Sequence, residues 1–297
     1  LYSVKWNNTL AQIFVTGSTG LIGRAVVAHL QAQGHSINTW VRNTARATSL
    51  LGEGVRILGP DLATKDLVYE MENADAVINL AGRSLASSRW TEKNKETFIS
   101  SRVGLTRLLA NSMKQCANPP KVFISSSAVG YYGDRGSEPL NEASGIGQGF
   151  LSTLCADWEQ AALETTKIGT RVCLLRTGIV LGREGGILKQ IMQGFDVGIG
   201  LYTGTDEQTM SWIHLTDMAR VIRYCLENPS MSGPVNCASP SATTAKSFAR
   251  TLGTITHSRI LIRIPSLVLR IVLGDGAKAL SQSQNVVPAK LNAAGFE

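Results

Sequence analysis

Ile13-Phe14-Val15-Thr16-Gly17-Ser18-Thr19-Gly20-Leu21-Ile22-Gly23 is the stretch that decides the fold. An apolar run enters glycines spaced TGxxGxxG, and Arg24 to Leu30 continue as an amphipathic helix. Strand, turn and helix in that order are the context a dinucleotide fingerprint requires. Gly17 permits the tight turn, Gly20 removes a side chain where backbone must approach a pyrophosphate, and Gly23 lets the helix pack close to the strand. Thr16, Thr19, Leu21 and Ile22 complete this candidate phosphate loop. The helix N-terminus then offers unpaired N–H groups and a partial positive charge to phosphate.

Outward from this turn, short apolar strands alternate with helical stretches. That pattern predicts an α/β fold, a doubly wound parallel Rossmann sheet covered on both faces. Strands are expected at Gln12–Thr16, Ser36–Val41, Val55–Leu58, Ala76–Leu80, Lys121–Ser125 and Arg171–Arg176. Helices are expected at Leu21–Gln33, Thr64–Met71, Thr91–Gln115 and Leu151–Lys167. In the third of these, Phe98, Leu105, Leu108 and Leu109 fit one buried face. Beyond Gly182 glycines crowd 182–204, and helices follow at Thr216–Glu227, Thr244–Gly253 and Pro265–Leu273. The expected division is therefore a dinucleotide-binding domain over residues 11–182 and a smaller, mixed α/β substrate lobe over 183–297. The irregular parts of that lobe, 184–186 and 194–208, are long loops of the kind that line pockets.

Bulk properties agree. The chain has 297 residues, 43% hydrophobic and 17% charged, with a formal net charge of +7. The basic residues are scattered and not interleaved with aromatics, so a polyanionic cofactor explains the charge more simply than nucleic acid does. No segment reaches the roughly 18 apolar residues needed to span a bilayer. Cys116, Cys155, Cys173, Cys225 and Cys237 form no CxxC pair, which suggests free thiols in a reducing compartment. A cytoplasmic protein is expected, and an organelle matrix or stroma fits the basic charge equally. The chain begins at Leu1, so residues or a targeting peptide upstream are expected to be missing. His29, His35 and His257 make no ligand spacing with Cys, Asp or Glu, so no metal is expected.

The second strand ends at Val41-Arg42. An NAD-preferring site usually has an Asp or Glu there for the ribose 2′-hydroxyl. This chain has Arg42, with Arg46 one helical turn on, and a guanidinium fork suits a 2′-phosphate. NADP(H) is the expected cofactor. Asp61, after the third strand, is either an adenine contact or an ordinary turn residue. Asn79-Leu80-Ala81-Gly82 closes the fourth strand, where small residues let backbone lie beside the nicotinamide-side ribose.

Four motifs come in a fixed order: Thr16–Gly23, Asn79–Gly82, Ser125-Ser126-Ser127-Ala128-Val129-Gly130-Tyr131-Tyr132-Gly133 and Leu175-Arg176-Thr177-Gly178-Ile179-Val180-Leu181-Gly182. Together they resemble the short-chain dehydrogenase/reductase superfamily. Within it they are similar to the atypical, epimerase-family branch, whose bacterial members are often labelled nucleoside-diphosphate-sugar epimerase or cell-division-inhibitor-like. Arg89-Trp90, Ser101-Arg102, Leu154-Cys155 with Trp158-Glu159, Gly185-Gly186, Trp212-Ile213-His214 and the closing 291–296 extend the likeness from about residue 12 to the end. The resemblance implies an NADP(H) site carried by Arg42, Leu80, Ala81, Arg102 and the backbone near Ile179. It also implies dimerisation through the long helix in some relatives, so a homodimer is compatible with it. The chain departs from the branch before Trp212, where Gly200-Leu201-Tyr202 and Thr205-Asp206 replace a usual Gly-Gly-Pro and Ser-Gly, and Ser211 replaces a proline. It also stops at Glu297, before a final strand and helix that relatives tend to have.

The same resemblance sharpens an absence. Most of the superfamily use a YxxxK pair, in which the Lys lowers the Tyr pKa for proton transfer. By register with Trp158-Glu159, Leu151 and Cys155 occupy those two places, and no other Tyr here has Lys four residues later. The remaining candidates are Ser127, at the nicotinamide end of the fifth strand, and Tyr131 or Tyr132 as the acid. His214 with Asp217 is either an acid–base unit or the start of the helix near Thr216, and Glu159 is expected on a helix flank. The sequence therefore predicts an oxidoreductase or epimerase-like enzyme on a small-molecule substrate, either a carbonyl compound or a nucleotide sugar. The alternative is a non-catalytic NADP(H)-binding regulatory or redox-sensor protein.

Overall fold

The computed structural model describes residues 10–85, 88–258 and 260–297. Five strands, β1 (Gln12–Thr16), β2 (Ser36–Trp40), β3 (Val55–Leu58), β4 (Ala76–Asn79) and β5 (Val122–Ala128), join Arg171–Thr177 and Gly233–Cys237 in one seven-stranded sheet. From one edge the order is Gly233–Cys237, Arg171–Thr177, β5, β4, β1, β2, β3, and every pair is parallel. The order reverses between β1 and β4. That reversal opens a crevice at the carboxyl ends of the strands, where ligands of such sheets bind.

Strand alternation builds two cores. Ile13, Val15, Ala76, Ile78, Val122, Ile124, Cys173 and Leu175 point into one, covered by α1 (Leu21–Ala32) and a later helix, Leu215–Glu227. Phe14, Val77, Phe123, Val172 and Leu174 point into the other, with Leu67, Met71, Leu109 and Met113 from helices on that side. Successive side chains of a strand face opposite ways, so continuous apolar runs are what a sheet buried on both faces needs.

The helices follow local signals, with instructive departures. A helix absent from the expectations, α2 (Thr44–Leu51), starts where the Asn43 side chain accepts from the Arg46 N–H at 2.9 Å. After α3 (Thr64–Glu72), the long helix expected over 91–115 is α4 (Glu92–Ile99), a π turn at Ser100–Gly104, and α5 (Leu105–Met113). The π turn shifts the helical register. Phe98 and Leu109 are fully buried, but Leu108, assigned to the same face, is 39% exposed. The next helix, α6 (Phe150–Leu163), passes into a 3-10 turn at Glu164–Ile168.

The expected boundary at residue 182 does not separate two consecutive units. After α7 (Gly186–Phe195) and a short strand at Ile199–Tyr202, the chain returns to the sheet through α8 (Leu215–Glu227) and Gly233–Cys237. The return is held by Arg171, whose guanidinium donates to the carbonyls of Cys225, Leu226 and Met231 at 2.6–3.0 Å. It thereby satisfies carbonyls that the end of α8 leaves unpaired. The smaller lobe is completed by α9 (Ala245–Thr256), by parallel pairing of Ile260–Arg263 with Ile199–Tyr202, and by Asn285–Val286 beside Pro139–Leu140. No helix among the described residues is long and apolar enough to cross a membrane.

Candidate active site

The glycine turn at the end of β1 is shaped by close approaches. Gly17 has φ +75°, and a Cβ there would lie 2.5 Å from the Leu80 carbonyl carbon. A Cβ on Gly23 would lie 2.2 Å from the Gly17 carbonyl oxygen, so any side chain would push α1 off β1. The Gly20 N–H closes the turn onto the Gly17 carbonyl at 3.0 Å. Gly20 stands at the N-cap of α1 and supplies no side-chain cap, so the first-turn N–H groups have no side-chain acceptor and suit a phosphate.

The other expected cofactor residues divide into those that hold the cleft and those that face it. Thr16 is 2% exposed and donates to Asn79 Oδ1 at 2.7 Å; Asn79, fully buried, donates to Thr106 at 2.8 Å. Trp158 donates to the same Thr106 hydroxyl at 2.9 Å. These side chains lock β1 to β4 and so position Leu80, Ala81 and Gly82. Val41 is buried and its N–H donates to the Leu58 carbonyl, which leaves Arg42 as the first exposed side chain after β2. Arg42 and Arg46 are both exposed, and among the described residues neither forms an ion pair with an acid. Thr19 and Ile22 lie half-buried in the turn. Leu21 packs beneath the glycine-rich loop: Cβ atoms on Gly182 and Gly186 would approach it to 3.3 and 3.0 Å.

Arg102 sits in the π turn, its guanidinium 5.4 Å from the Trp158 ring and in contact range of Gly82. Its Nη1 is buried without a hydrogen-bond partner, and burial weakens its hold on its proton. An orphaned cation at the carboxyl end of β4, a glycine cradle with no room for Cβ atoms and an uncapped helix together fit a dinucleotide.

The catalytic candidates lie over a buried ion pair that sequence reasoning missed. Glu159 of α6, expected on a helix flank, is 5% exposed and receives the Arg176 guanidinium bidentately, Nε and Nη2 each at 2.8 Å. Ser127 donates to the same carboxylate at 2.7 Å and is 4% exposed. Arg176 also donates to the Tyr132 hydroxyl at 3.0 Å, and that hydroxyl donates to Asn236 Oδ1 at 2.7 Å. Tyr132 is fully buried, and burial raises its pKa. It therefore packs the site and cannot reach a ligand, which corrects its candidacy as an acid. Tyr131 is half-buried, with Arg176 stacked 3.5 Å from its ring centroid. The signal for this hub was an Arg at the end of an otherwise apolar strand, Val172-Cys173-Leu174-Leu175-Arg176, which needs a buried acid.

Leu151 and Cys155, expected at the two places of a YxxxK pair, are held by packing. Leu151 lies against Gly130, whose added Cβ would come within 3.3 Å of the Leu151 Cβ and 3.8 Å of the Cys155 sulfur. Cys155 is buried, and burial pushes its thiol up to about 12. His214 accepts from the Thr216 N–H at 3.3 Å and caps α8. Among the described residues no cluster of three or more His, Cys, Asp or Glu side chains is arranged to hold a metal.

Beside this floor lies a cavity of about 400 Å³, walled by α7, α9 and Ile199–Tyr202. Val129 and Ile179 line it, so it adjoins the ends of β5 and Arg171–Thr177. The Ile179 N–H is engaged by the Ser211 carbonyl at 2.8 Å, so this residue offers its side chain rather than its amide.

Residues 13–238 match the profile of the NAD dependent epimerase/dehydratase family, and residues 264–297 match a domain of unknown function, DUF1731. An epimerase family protein of Mycobacterium bovis is 34% identical over 97% of this chain and 93% of its own length. A chloroplastic homologue of SDR39U1 from Arabidopsis thaliana is 32% identical over 96% of this chain and 82% of its own. The crystal structure of human epimerase family protein SDR39U1 (isoform2) with NADPH superimposes with a TM-score of 0.86, at 31% identity, covering 96% of this chain and 94% of that one.

Two outcomes are expected. Arg176→Met leaves the Glu159 charge buried and unpaired, so unfolding in urea should show a loss of about 3–5 kcal/mol. Adding Glu159→Gln should recover part of that loss, and strictly additive costs would refute the coupling. The folded Cys155 thiol keeps its proton to about 12, whereas its ordinary value is 9.0. The unfolded state therefore releases that proton first, and stability should fall as pH rises through this window. Cys155→Ala should flatten the decline in a pH series of melting curves.

Proposed function

Because the chain belongs to the NAD dependent epimerase/dehydratase family, we propose that it binds NADP(H) across the β1–β4 crevice and performs hydride chemistry on a small carbonyl-bearing substrate. The pyrophosphate lies on the Gly17–Gly23 turn, the 2′-phosphate meets Arg42 and Arg46, and Arg102 takes a polar group of the cofactor. The NADPH named with the human relative supports this choice. When bound, the cofactor supplies or accepts a hydride at its nicotinamide.

The observation that carries the enzyme reading is the 400 Å³ cavity adjoining the ends of β5 and Arg171–Thr177. A cofactor-bound sensor has no need of a chamber there, whereas an enzyme must hold its substrate there. Ser127 has its proton committed to Glu159 and so presents lone pairs. It orients a substrate hydroxyl or ordered water and does not polarise a carbonyl. Tyr131 is then the proton donor, its ring held by the stacked Arg176. The rival sensor reading draws on Leu151 and Cys155, which cannot replace a Tyr/Lys pair.

Titration with NADPH and NADH should show a clear NADPH preference. Arg42→Ala should weaken NADPH about tenfold or more and leave NADH unchanged, the scale of a charge-assisted hydrogen bond. Equal loss for both cofactors would place Arg42 elsewhere. In a screen of carbonyl compounds followed by NADPH oxidation, Tyr131→Phe should lower kcat about 10²-fold or more with NADPH affinity intact. Unchanged turnover would remove Tyr131 from the mechanism.

A further inference from the structure

The lining of the cavity specifies its ligand. It contains no Lys, Arg, His, Asp or Glu among the described residues. Most of its wall is aliphatic and aromatic: Ile187 and Ile191 from α7, Phe248 and Leu252 from α9, with Phe195 and Ile264. The polar groups that reach it are all neutral: Gln190, Thr203 and Thr209 line it, and four others make hydrogen bonds within the protein. Gln208 donates to the Gln282 carbonyl at 2.9 Å, Gln284 donates to the Gly133 carbonyl at 3.1 Å, and Ser211 donates to the Gln284 carbonyl at 2.7 Å. Tyr202 donates to Asp206 at 3.0 Å. Two cations of the lobe are engaged: Lys246 pairs with Asp206, and Arg263 donates to the Gly204 carbonyl at 2.7 Å.

A nucleoside diphosphate brings at least two negative charges. Removing them from water costs several kcal/mol per charge unless cations meet them. This chamber offers none. An uncharged apolar molecule faces the opposite balance, since its transfer is favourable by about 25 cal/mol per Å² of apolar surface. The volume of about 400 Å³ lies within the range of small-ligand pockets, roughly 300–1,000 Å³. Leu201 lines the chamber and is 39% exposed, so the rim is apolar as well as the wall.

We infer that the substrate is an uncharged, predominantly apolar carbonyl compound, not a nucleotide sugar. The inference deepens the oxidoreductase reading above and rests on it for the word substrate. The binding claim stands on the lining alone.

The test uses the full chain saturated with NADPH and the uncharged fluorophore Nile red. One Nile red should bind per chain. The bicyclic ketone 1-decalone should displace it, whereas UDP and UDP-glucose at a hundredfold higher concentration should not. Ile191→Trp, which fills the chamber without adding charge, and Phe248→Asp, which charges it, should each weaken Nile red at least tenfold while NADPH still binds. Ile260→Ser, on the exposed strand Ile260–Arg263, should not change it. Displacement by UDP or UDP-glucose, or Nile red affinity unchanged from the parent protein in both chamber variants, would overturn the inference. If Nile red binds as described but NADPH does not, the oxidoreductase reading falls and the chamber keeps its ligand class. If NADPH binds and Nile red does not, the cofactor site stands and the ligand class falls.

Discussion

One buried ion pair organises the floor of the cleft. Glu159 and Arg176 come from a helix and a strand that pack face to face, and their side chains are 7% and 3% exposed. Two charges at that depth would cost several kcal/mol each in solvation if they were alone. They are compensated by a bidentate bond, by the Ser127 and Tyr132 hydroxyls, and by the Tyr131 ring stacked on the guanidinium. Through Tyr132 the same network reaches Asn236, on the strand that returns from the smaller lobe. The pair thus fixes β5, α6, Arg171–Thr177 and Gly233–Cys237 in one register. A purely apolar core of equal volume would pack as well, but it would not dictate which face of α6 turns inward.

Much of this was legible in the chain itself. The apolar runs of β1 through β5 announced a sheet buried on both faces, and the TGxxGxxG turn announced a cofactor crevice. Both signals are local, with residues a few positions apart in contact. The failures were non-local. Glu159 and Arg176 find each other across 17 residues, and only the helix–strand packing reveals that both point inward. Leu108 was placed with Leu109 on one buried face, but beyond the π turn only Leu109 of the two is buried. The expected boundary at residue 182 did not foresee that Gly233–Cys237 rejoins the first sheet at its edge, a pairing that periodicity cannot see.

The glycine-rich stretch after Leu181 read as an irregular, pocket-lining part of the lobe, and its glycines have a specific mechanical reason. Gly182, Gly185 and Gly186 lie against Leu21, the first residue of α1, at distances that a Cβ would close to 3.0–3.5 Å. The loop can therefore rest directly on the phosphate turn. A dinucleotide held by that turn would touch a helix N-terminus on one side and this loop on the other. The loop leads into α7, which walls the apolar chamber, so cofactor turn and substrate chamber are joined by a short, close-packed segment.

That arrangement changes the meaning of the missing Tyr and Lys. In a site that lost catalysis by drift, the vacated positions would be expected to open or to accumulate unsatisfied polar groups. Here Leu151 and Cys155 fill the space against Gly130, and the floor beneath them carries a fully bonded acid, base and hydroxyl set. The buried carboxylate of α6 lies one helical turn beyond Cys155, at Glu159, and is met by Arg176. A chamber whose lining carries no charged side chain among the described residues thus lies beside a floor dense in buried charge, and under the proposed chemistry the walls would select for apolar surface while the floor fixes the geometry of the half-buried Tyr131. The proposed role of Tyr131 therefore rests on position: the guanidinium of Arg176, stacked 3.5 Å from its ring centroid, holds that ring over the floor.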